Sequence, residues 1–147
     1  MTNERKTRIL YLCTGNSCRS QMAEGFTNAL KGDRFEGLSA GVAPHGLDPR
    51  AVEVMAEAGV DISAQRSQHV DDLLETEPDY VVTVCDSARE ACPVFPGKAK
   101  VVHVGFEDPP ALARQAGDEA DAMEQYRRVR DQIRAFVEAL PGSLPTT

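Results

Sequence analysis

The residues best suited to chemistry lie near the N-terminus, where an apolar run ends at a cysteine. The segment Cys13–Ser20 reads CTGNSCRS, so the cysteine is followed, after five intervening residues, by an arginine and a serine. The preceding residues Ile9–Leu12 are apolar and compatible with a β-strand, while Gly15 and Asn16 tolerate left-handed backbone angles. Helical spacing of apolar residues resumes after this segment. The pattern predicts a strand, an anion-binding loop and a helix, with Cys13 at the carboxyl end of the strand.

Three sources of positive potential are expected to converge on the Cys13 sulfur. The backbone N–H groups of the loop point inward, the N-terminus of the following helix carries partial positive charge, and Arg19 offers a forked cation. Such a site binds a tetrahedral oxyanion and favours the thiolate, so Cys13 is predicted to be a nucleophile, with Ser20 donating to its sulfur. A buried structural cysteine is the alternative, but it would not require the glycine, asparagine and arginine that follow. The predicted oxyanion-binding residues are Thr14, Gly15, Asn16, Ser17, Cys18 and Arg19.

Two further cysteines, Cys85 and Cys92, lie far downstream and seven positions apart. Cys85 follows a buried strand as Cys13 follows the first, and the residues between Cys85 and Cys92 favour a short helix. Helical positions seven apart are separated by about 10 Å along the axis, more than the roughly 4.4–6.8 Å between α-carbons that a disulfide allows. The segment must therefore unwind or loop out if these cysteines ever bond. Two unrelated core cysteines are the alternative, and the residues alone leave the choice open.

An aspartate followed by two prolines, Asp108-Pro109-Pro110, comes after the last predicted strand. Taken by itself, this pattern is more typical of an ordinary turn or helix cap than of a catalytic acid. The residues alone therefore do not assign a role to Asp108.

Composition limits the partners of this chain. It has 147 residues, of which 41% are hydrophobic, and a formal net charge of −7 at pH 7. A strongly acidic protein is unsuited to nucleic acid or an anionic membrane surface, so an anionic substrate requires a local positive site. No run of about 18 apolar residues is present, and the N-terminal residues are polar and charged. We expect a cytoplasmic protein, and nothing in the sequence indicates an obligate oligomer.

The cysteine and histidine spacings argue against a metal centre. Four cysteines in a chain without a secretion signal are better interpreted as reactive thiols than as a disulfide framework. No C-x-x-C pair occurs, and His45, His69 and His103 are scattered, so no zinc site is predicted.

Strand-like and helix-like segments alternate along the chain. Buried strands alternating with helices imply an α/β fold, here a single three-layer domain with a four-stranded parallel sheet and helices on both faces. In such sheets ligands bind beyond the carboxyl ends of the strands, where Cys13 and Cys85 both fall. The domain is predicted to span residues 1–140, followed by a flexible tail over 141–147. The predicted strands are Arg8–Cys13, Phe35–Ala40, Asp79–Cys85 and Lys100–Val104, and the predicted helices are Arg19–Lys31, Pro49–Ala58, Val70–Glu75 and Glu119–Leu140.

The segment Cys13–Gly25, CTGNSCRSQMAEG, resembles the phosphate-binding loop and first helix of the low-molecular-weight protein tyrosine phosphatase superfamily. The resemblance is strongest to its thioredoxin-coupled arsenate reductases. It covers nearly the whole chain, apart from the extreme N-terminus and part of the segment after Pro110.

The resemblance implies roles for the remaining residues. The arsenate reductases place two thiols with the spacing of Cys85 and Cys92 after the corresponding strand. Asp108 matches the superfamily's general acid, whereas Pro110 stands where the phosphatases typically have a tyrosine. The implied activity is reduction of arsenate to arsenite by Cys13, Cys85 and Cys92, with electrons from thioredoxin and without a bound cofactor.

Several alternatives remain at this stage. A tyrosine phosphatase would use Cys13, Arg19 and Asp108 but neither downstream cysteine. A thiol redox sensor would not need Asp108, and glutaredoxin could replace thioredoxin as the electron donor. The thiol of Cys18 is interpreted as a spacer, with an off-pathway disulfide as the alternative.

Some of the resembling reductases also bind potassium beside the loop, through an asparagine, a glutamate, a serine and an aspartate. Asn16, Glu24 and Ser39 match the first three, but Gln68 stands at the fourth position. Loss of that carboxylate weakens a cation site, and none is predicted here.

Overall fold

The fold is a parallel sheet that brings the carboxyl ends of its strands to one edge. A computed structural model describes residues 6–85 and 99–144. Within these residues the sheet has four strands, all parallel, in the order β2-β1-β3-β4. The strands are β1 (Thr7–Cys13), β2 (Phe35–Gly41), β3 (Tyr80–Thr83) and β4 (Lys100–His103). The predicted α/β single-domain fold with a four-stranded parallel sheet is confirmed.

Side chains of the central strand β1 alternate between the two faces of the sheet. Ile9 and Tyr11 belong to one core, whereas Leu10 and Leu12 belong to the other. The first core packs against four α-helices, α1 (Arg19–Leu30), α2 (Pro49–Glu57), α3 (Pro109–Arg114) and α4 (Glu119–Glu138). On the opposite face, the helix that the described residues contribute is a 3-10 helix, Val70–Thr76.

Helix α2 forms where its local sequence signals place it. Asp48 is the N-cap, and its carboxylate accepts a hydrogen bond from the Arg50 N–H at 2.9 Å. Pro49 takes the first helical position, where a missing N–H costs nothing. The helix ends in a Schellman motif, in which Gly59 has a φ of +84° and its N–H donates to the Ala56 carbonyl.

Two elements differ from the sequence prediction. Strand β4 was expected to be buried, but it is an edge strand and Val101 is 53% exposed. Helix α3 was not among the predicted helices, because the Asp-Pro-Pro pattern left an ordinary turn and a helix cap as alternatives. Prolines suit its first two positions, which need no N–H donor.

Some expectations fall on residues outside the described ranges. Cys92 and the short helix expected after Cys85 belong to this group. Across the described residues, no helix is long and apolar enough to cross a membrane.

The C-terminal segment packs back on the domain further than the sequence suggested. Leu144 is only 4% exposed and joins the core of α1, α2 and α4. The Ser143 hydroxyl donates to the Phe136 carbonyl at 2.7 Å. The packed region therefore extends four residues past the expected end at 140, to Leu144, rather than giving way to a flexible tail at Pro141.

Removing the Leu144 side chain tests this packing. Leu144→Ala should lower the free energy of unfolding by about 2–4 kcal/mol. Truncation of a buried leucine removes the favourable transfer of its apolar groups from water and leaves a cavity in the core. The matched control is Leu30→Ala, the same truncation at a leucine that is 38% exposed, with an expected loss below about 1 kcal/mol. Urea unfolding followed by circular dichroism measures both, and equal losses would contradict the packing described.

Candidate active site

The predicted nucleophile lies at the carboxyl edge of the sheet, where a cavity opens. Cys13 is the last residue of β1, and residues 14 to 18 form a loop that leads into α1. The cavity has a volume of about 510 Å³. Its walls are formed by Cys13, Thr14, Gly15, Ser17, Cys18, Arg19, His45, Cys85, Asp108, Pro110 and Arg114. The structure therefore brings Cys13, Arg19, Cys85 and Asp108, four residues singled out from the sequence, to one cavity.

The loop carbonyls are turned away from the cavity by the segment that follows β2. The N–H groups of Val42, Ala43, His45 and Asp48 donate to the carbonyls of Cys13, Thr14, Gly15 and Ser17 at 2.8 to 3.2 Å. Each trans peptide plane places the next N–H opposite its carbonyl. The N–H groups of Thr14, Gly15, Asn16 and Cys18 therefore point away from the segment after β2, and the Asn16 N–H donates to the Cys13 sulfur at 3.2 Å. The loop has the form of an oxyanion-binding nest.

Asn16 is the residue that gives this loop its bend. Its φ of +46° is in the left-handed region, which asparagine tolerates better than most residues. Its side-chain oxygen accepts from the Gln68 N–H at 2.8 Å, and its carbonyl accepts from the Gln21 amide at 2.9 Å. Gly15, which the sequence also offered for a left-handed angle, does not adopt a positive φ.

The Cys13 sulfur has two hydrogen-bond partners within the loop and helix. It lies 2.8 Å from the Ser20 hydroxyl oxygen and 3.2 Å from the Asn16 backbone nitrogen. The Ser20 oxygen already accepts from the Asn16 side-chain amide at 2.8 Å, which leaves its proton to donate to the sulfur. Both contacts hold the sulfur between the loop and the first turn of α1.

Arg19 is held at the cavity by carbonyls of the segments that follow β3 and β4. Its guanidinium donates to the Phe106 carbonyl at 2.9 Å and to the Val84 carbonyl at 3.4 Å. The same group lies 3.8 Å from an Asp108 carboxylate oxygen. Since these contacts come from the ends of β3 and β4, the sheet positions the cation beside the loop.

Asp108 occupies the N-cap position of α3, as one interpretation of the sequence predicted. Its side chain, however, makes no capping hydrogen bond with that helix. The carboxylate lines the cavity with Cys13 and Arg19 instead. The arrangement gives Asp108 access to a bound oxyanion, which an ordinary capping aspartate would lack.

Cys85 also lines this cavity. Its sulfur is 3.3 Å from the hydroxyl oxygen of Thr14, the residue that follows Cys13. This proximity arises because β1 and β3 are neighbours in the sheet and their carboxyl ends meet at one edge. The described residues thus bring the thiols of Cys13 and Cys85 to one cavity, which Cys18 also lines.

The fourth thiol, Cys18, is buried at the start of α1. Burial, followed by the nearby charge of Asp48, raises the pKa of this thiol well above its ordinary value. A neutral, enclosed thiol favours the interpretation of Cys18 as a spacer in the loop.

The residues that matched a potassium site are hydrogen-bonded to one another. The Ser39 hydroxyl donates to the Glu24 carboxylate at 2.6 Å, and the Gln68 side-chain amide donates to the Ser39 carbonyl at 3.1 Å. Burial also raises the pKa of Glu24, which weakens its charge as a ligand. One carboxylate oxygen of Glu24, the Asn16 side-chain oxygen and the Ser39 carbonyl therefore each accept an internal hydrogen bond. No group of three or more metal-ligating side chains occurs among the described residues.

Three features of the site were not found from the sequence. Gly41 approaches the loop so closely that a β-carbon there would lie 2.6 Å from the Thr14 carbonyl oxygen. His45 and Arg114 line the cavity from the segment after β2 and from α3. All three depend on contacts between distant segments, although the run of glycine and proline around His45 did mark a loop.

The comparison with known proteins agrees with this geometry. Residues 8–146 match the family described as low molecular weight phosphotyrosine protein phosphatase, and the chain belongs to that family. The arsenate reductase of Bacillus subtilis is 47% identical over 125 residues, which cover 85% of this chain and 88% of that protein. The arsenate reductase of Halalkalibacterium halodurans is 46% identical over 128 residues, covering 87% and 90%. A solved structure described as an arsenate reductase in oxidized state is similar with a TM-score of 0.76 and 28% identity, covering 95% of this chain and 99% of that one.

Removing the Ser20 hydroxyl tests the contacts of the Cys13 sulfur. Ser20→Ala should slow alkylation of Cys13 by iodoacetamide at pH 7 by about three- to tenfold, because the thiolate loses a charge-assisted hydrogen bond. Peptide mass spectrometry measures the rate for each cysteine. Cys18, whose pKa is raised by burial, should react slowly in both proteins and provides the control within the same sample. An unchanged Cys13 rate would show that the hydroxyl does not act on the sulfur.

Potassium should not stabilise this protein. Exchange of sodium chloride for potassium chloride should leave Tm unchanged within about 1 °C, because an ion that binds only the native state would raise it. The Gln68→Asp variant, which returns a carboxylate to the cluster, is the comparison in which potassium is expected to raise Tm. An increase in the Tm of the wild type with potassium would contradict this expectation, because it would show that these oxygens bind the ion.

Proposed function

We propose that this protein reduces arsenate to arsenite by a three-cysteine relay that thioredoxin regenerates, as a means of arsenic detoxification. The proposal is supported by the names of its relatives and by one observation in the site. Cys13 and Cys85 line one cavity together with an oxyanion nest and a cation. A phosphatase needs one thiol, whereas a two-electron reduction needs two that end as a disulfide.

The first step is attack on bound arsenate. The loop N–H groups and Arg19 hold the oxyanion, and the Cys13 thiolate forms a bond to arsenic. One arsenic–oxygen bond breaks, and Asp108 donates the proton that makes the departing oxygen a better leaving group. Ser20 keeps the thiolate in place before the attack.

The second step moves two electrons to arsenic. The Cys85 thiolate attacks the Cys13 sulfur, and a disulfide forms between them as the sulfur–arsenic bond breaks. The electron pair of that bond stays on arsenic, which leaves as arsenite. Cys13 and Cys85 have together lost the two electrons that arsenic has gained.

The third step returns Cys13 to its thiolate form. Cys92 attacks Cys85, so that the disulfide passes to Cys85 and Cys92, and thioredoxin then reduces it. Cys92 lies outside the described residues, and its part is assigned from the resemblance. The cycle needs no bound cofactor, takes place in the reducing cytoplasm and is proposed for a monomer.

A phosphatase is the second candidate function, and the family match favours it. Cys13, Arg19 and Asp108 would suffice for hydrolysis of a phosphate ester. Pro110 lines the cavity, and the described lining residues include no phenylalanine, tyrosine or tryptophan. A phosphotyrosine ring would lack an aromatic wall there, which favours small inorganic oxyanions. Reduction by glutaredoxin instead of thioredoxin would leave the first two steps unchanged.

Coupled turnover tests the relay. Reduced protein, thioredoxin, thioredoxin reductase and arsenate should give sustained NADPH oxidation in the wild type. The Cys92→Ser variant should lose multiple turnover, falling at least about 100-fold, because the disulfide between Cys13 and Cys85 can no longer pass to Cys92. Replacing the thioredoxin system by glutaredoxin and glutathione distinguishes the two donors.

Hydrolysis of a phosphate ester by the same variants separates the two functions. We expect Cys92→Ser to hydrolyse the phosphate ester at the wild-type rate, whereas Cys13→Ser should lose both ester hydrolysis and arsenate reduction. Absence of arsenate turnover in the wild type with either donor, alongside retained ester hydrolysis, would leave the phosphatase as the function.

A further inference from the structure

The net negative charge of an acidic protein repels anions, so a protein of this kind that binds an oxyanion needs a positive electrostatic potential at its site. The chain carries a formal charge of −7, and the cation of the nest, Arg19, lies 3.8 Å from the Asp108 carboxylate. These two opposite charges largely cancel at the distance of an approaching anion. A second positive charge at the cavity would therefore decide the sign of the potential that an anion meets.

Arg114 is placed to supply that charge. It is the last residue of α3, and with Pro110 it lines the cavity that contains Cys13. Pro110 and Arg114 are four positions apart, so they lie on one face of the helix. Because α3 begins immediately after Asp108, the same helix that places the carboxylate also places the arginine at the cavity.

Several other surface arginines of the described residues pair with acidic side chains. Arg50 pairs with Glu119, Arg127 with Glu57 and Arg128 with Glu107. Within the described ranges, Arg114 has no ion pair and no side-chain hydrogen bond, and its side chain is exposed. Its charge is thus available to an anion in the cavity.

We propose that Arg114 is a second substrate-facing cation, which draws oxyanions into the cavity and favours those of higher charge. It acts on binding and not on bond making, since the attacking sulfur has its contacts from Ser20 and Asn16. The identity of the anion as arsenate rests on the proposed function, but the effect on potential applies to any small anion.

The sign of the cavity potential can be measured without arsenate. Iodoacetate is an anion and iodoacetamide is neutral, but both alkylate the same thiol. The ratio of the iodoacetate rate to the iodoacetamide rate at Cys13 therefore reports the electrostatic potential at the site. The expected result is a ratio about three- to tenfold lower in Arg114→Gln than in the wild type at low salt. Arg114→Lys should retain most of the ratio, and Arg114→Glu should lower it further.

The matched control is Arg34→Gln, which removes one positive charge just before β2, at the opposite edge of the sheet. A seven-residue strand is about 23 Å long, more than twice the Debye length of about 10 Å at 0.1 M salt, which is the low-salt condition of this experiment. This variant should keep the wild-type ratio.

Salt provides a second test. Raising the salt to about 0.5 M should reduce the difference in the ratio between the wild type and Arg114→Gln. Equal ratios in all five proteins at low salt would overturn the inference.

Arsenate kinetics then separate this inference from the proposed function. Arg114→Gln should raise KM for arsenate about five- to tenfold with kcat changed less than about twofold. A lower alkylation ratio in a protein without arsenate turnover would sustain the role of Arg114 and overturn only the reductase function. If the wild type turns over arsenate and Arg114→Gln has the wild-type KM and the wild-type alkylation ratio, only the role of Arg114 is overturned.

Discussion

The site depends on the four backbone hydrogen bonds that turn the carbonyls of the Cys13 loop away from the cavity. A carbonyl that faced inward would repel an oxyanion, so each bond both satisfies an acceptor and orients a donor. Gly41 permits the close approach on which these bonds depend, since a β-carbon there would meet the Thr14 carbonyl. The chemistry of one short loop is therefore supported by a second loop about thirty residues away.

The parallel sheet supplies the remaining groups to the same place. Because β3 and β4 run parallel to β1, the segments that follow them arrive at the edge where the loop lies. Cys85 comes from the first of these segments and Asp108 from the second, while carbonyls of both hold Arg19. A second thiol beside the nest is what separates a two-electron reductase from a phosphatase built on the same scaffold.

Much of this could be predicted from the sequence because its signals are local. The apolar run before Cys13 and the cap of α2 with Asp48 and Pro49 each act within a few residues. The features that escaped prediction depend on distant contacts. Asn16 is joined to Gln68 through a buried amide, the burial of Leu144 depends on α4, and the exposure of Val101 follows from its strand lying at the sheet edge. Arg114 was missed because α3 was itself not expected after two prolines.

The most direct measurement of the central claim is a map of the disulfides after one turnover. Fully reduced Cys92→Ser protein, mixed with one equivalent of arsenate and no external reductant, should release close to one equivalent of arsenite. Mass spectrometry of the quenched protein should then find Cys13 joined to Cys85. Arsenite release with Cys13 and Cys85 both still reduced, or no arsenite at all from a protein whose loop still binds the oxyanion, would contradict the account.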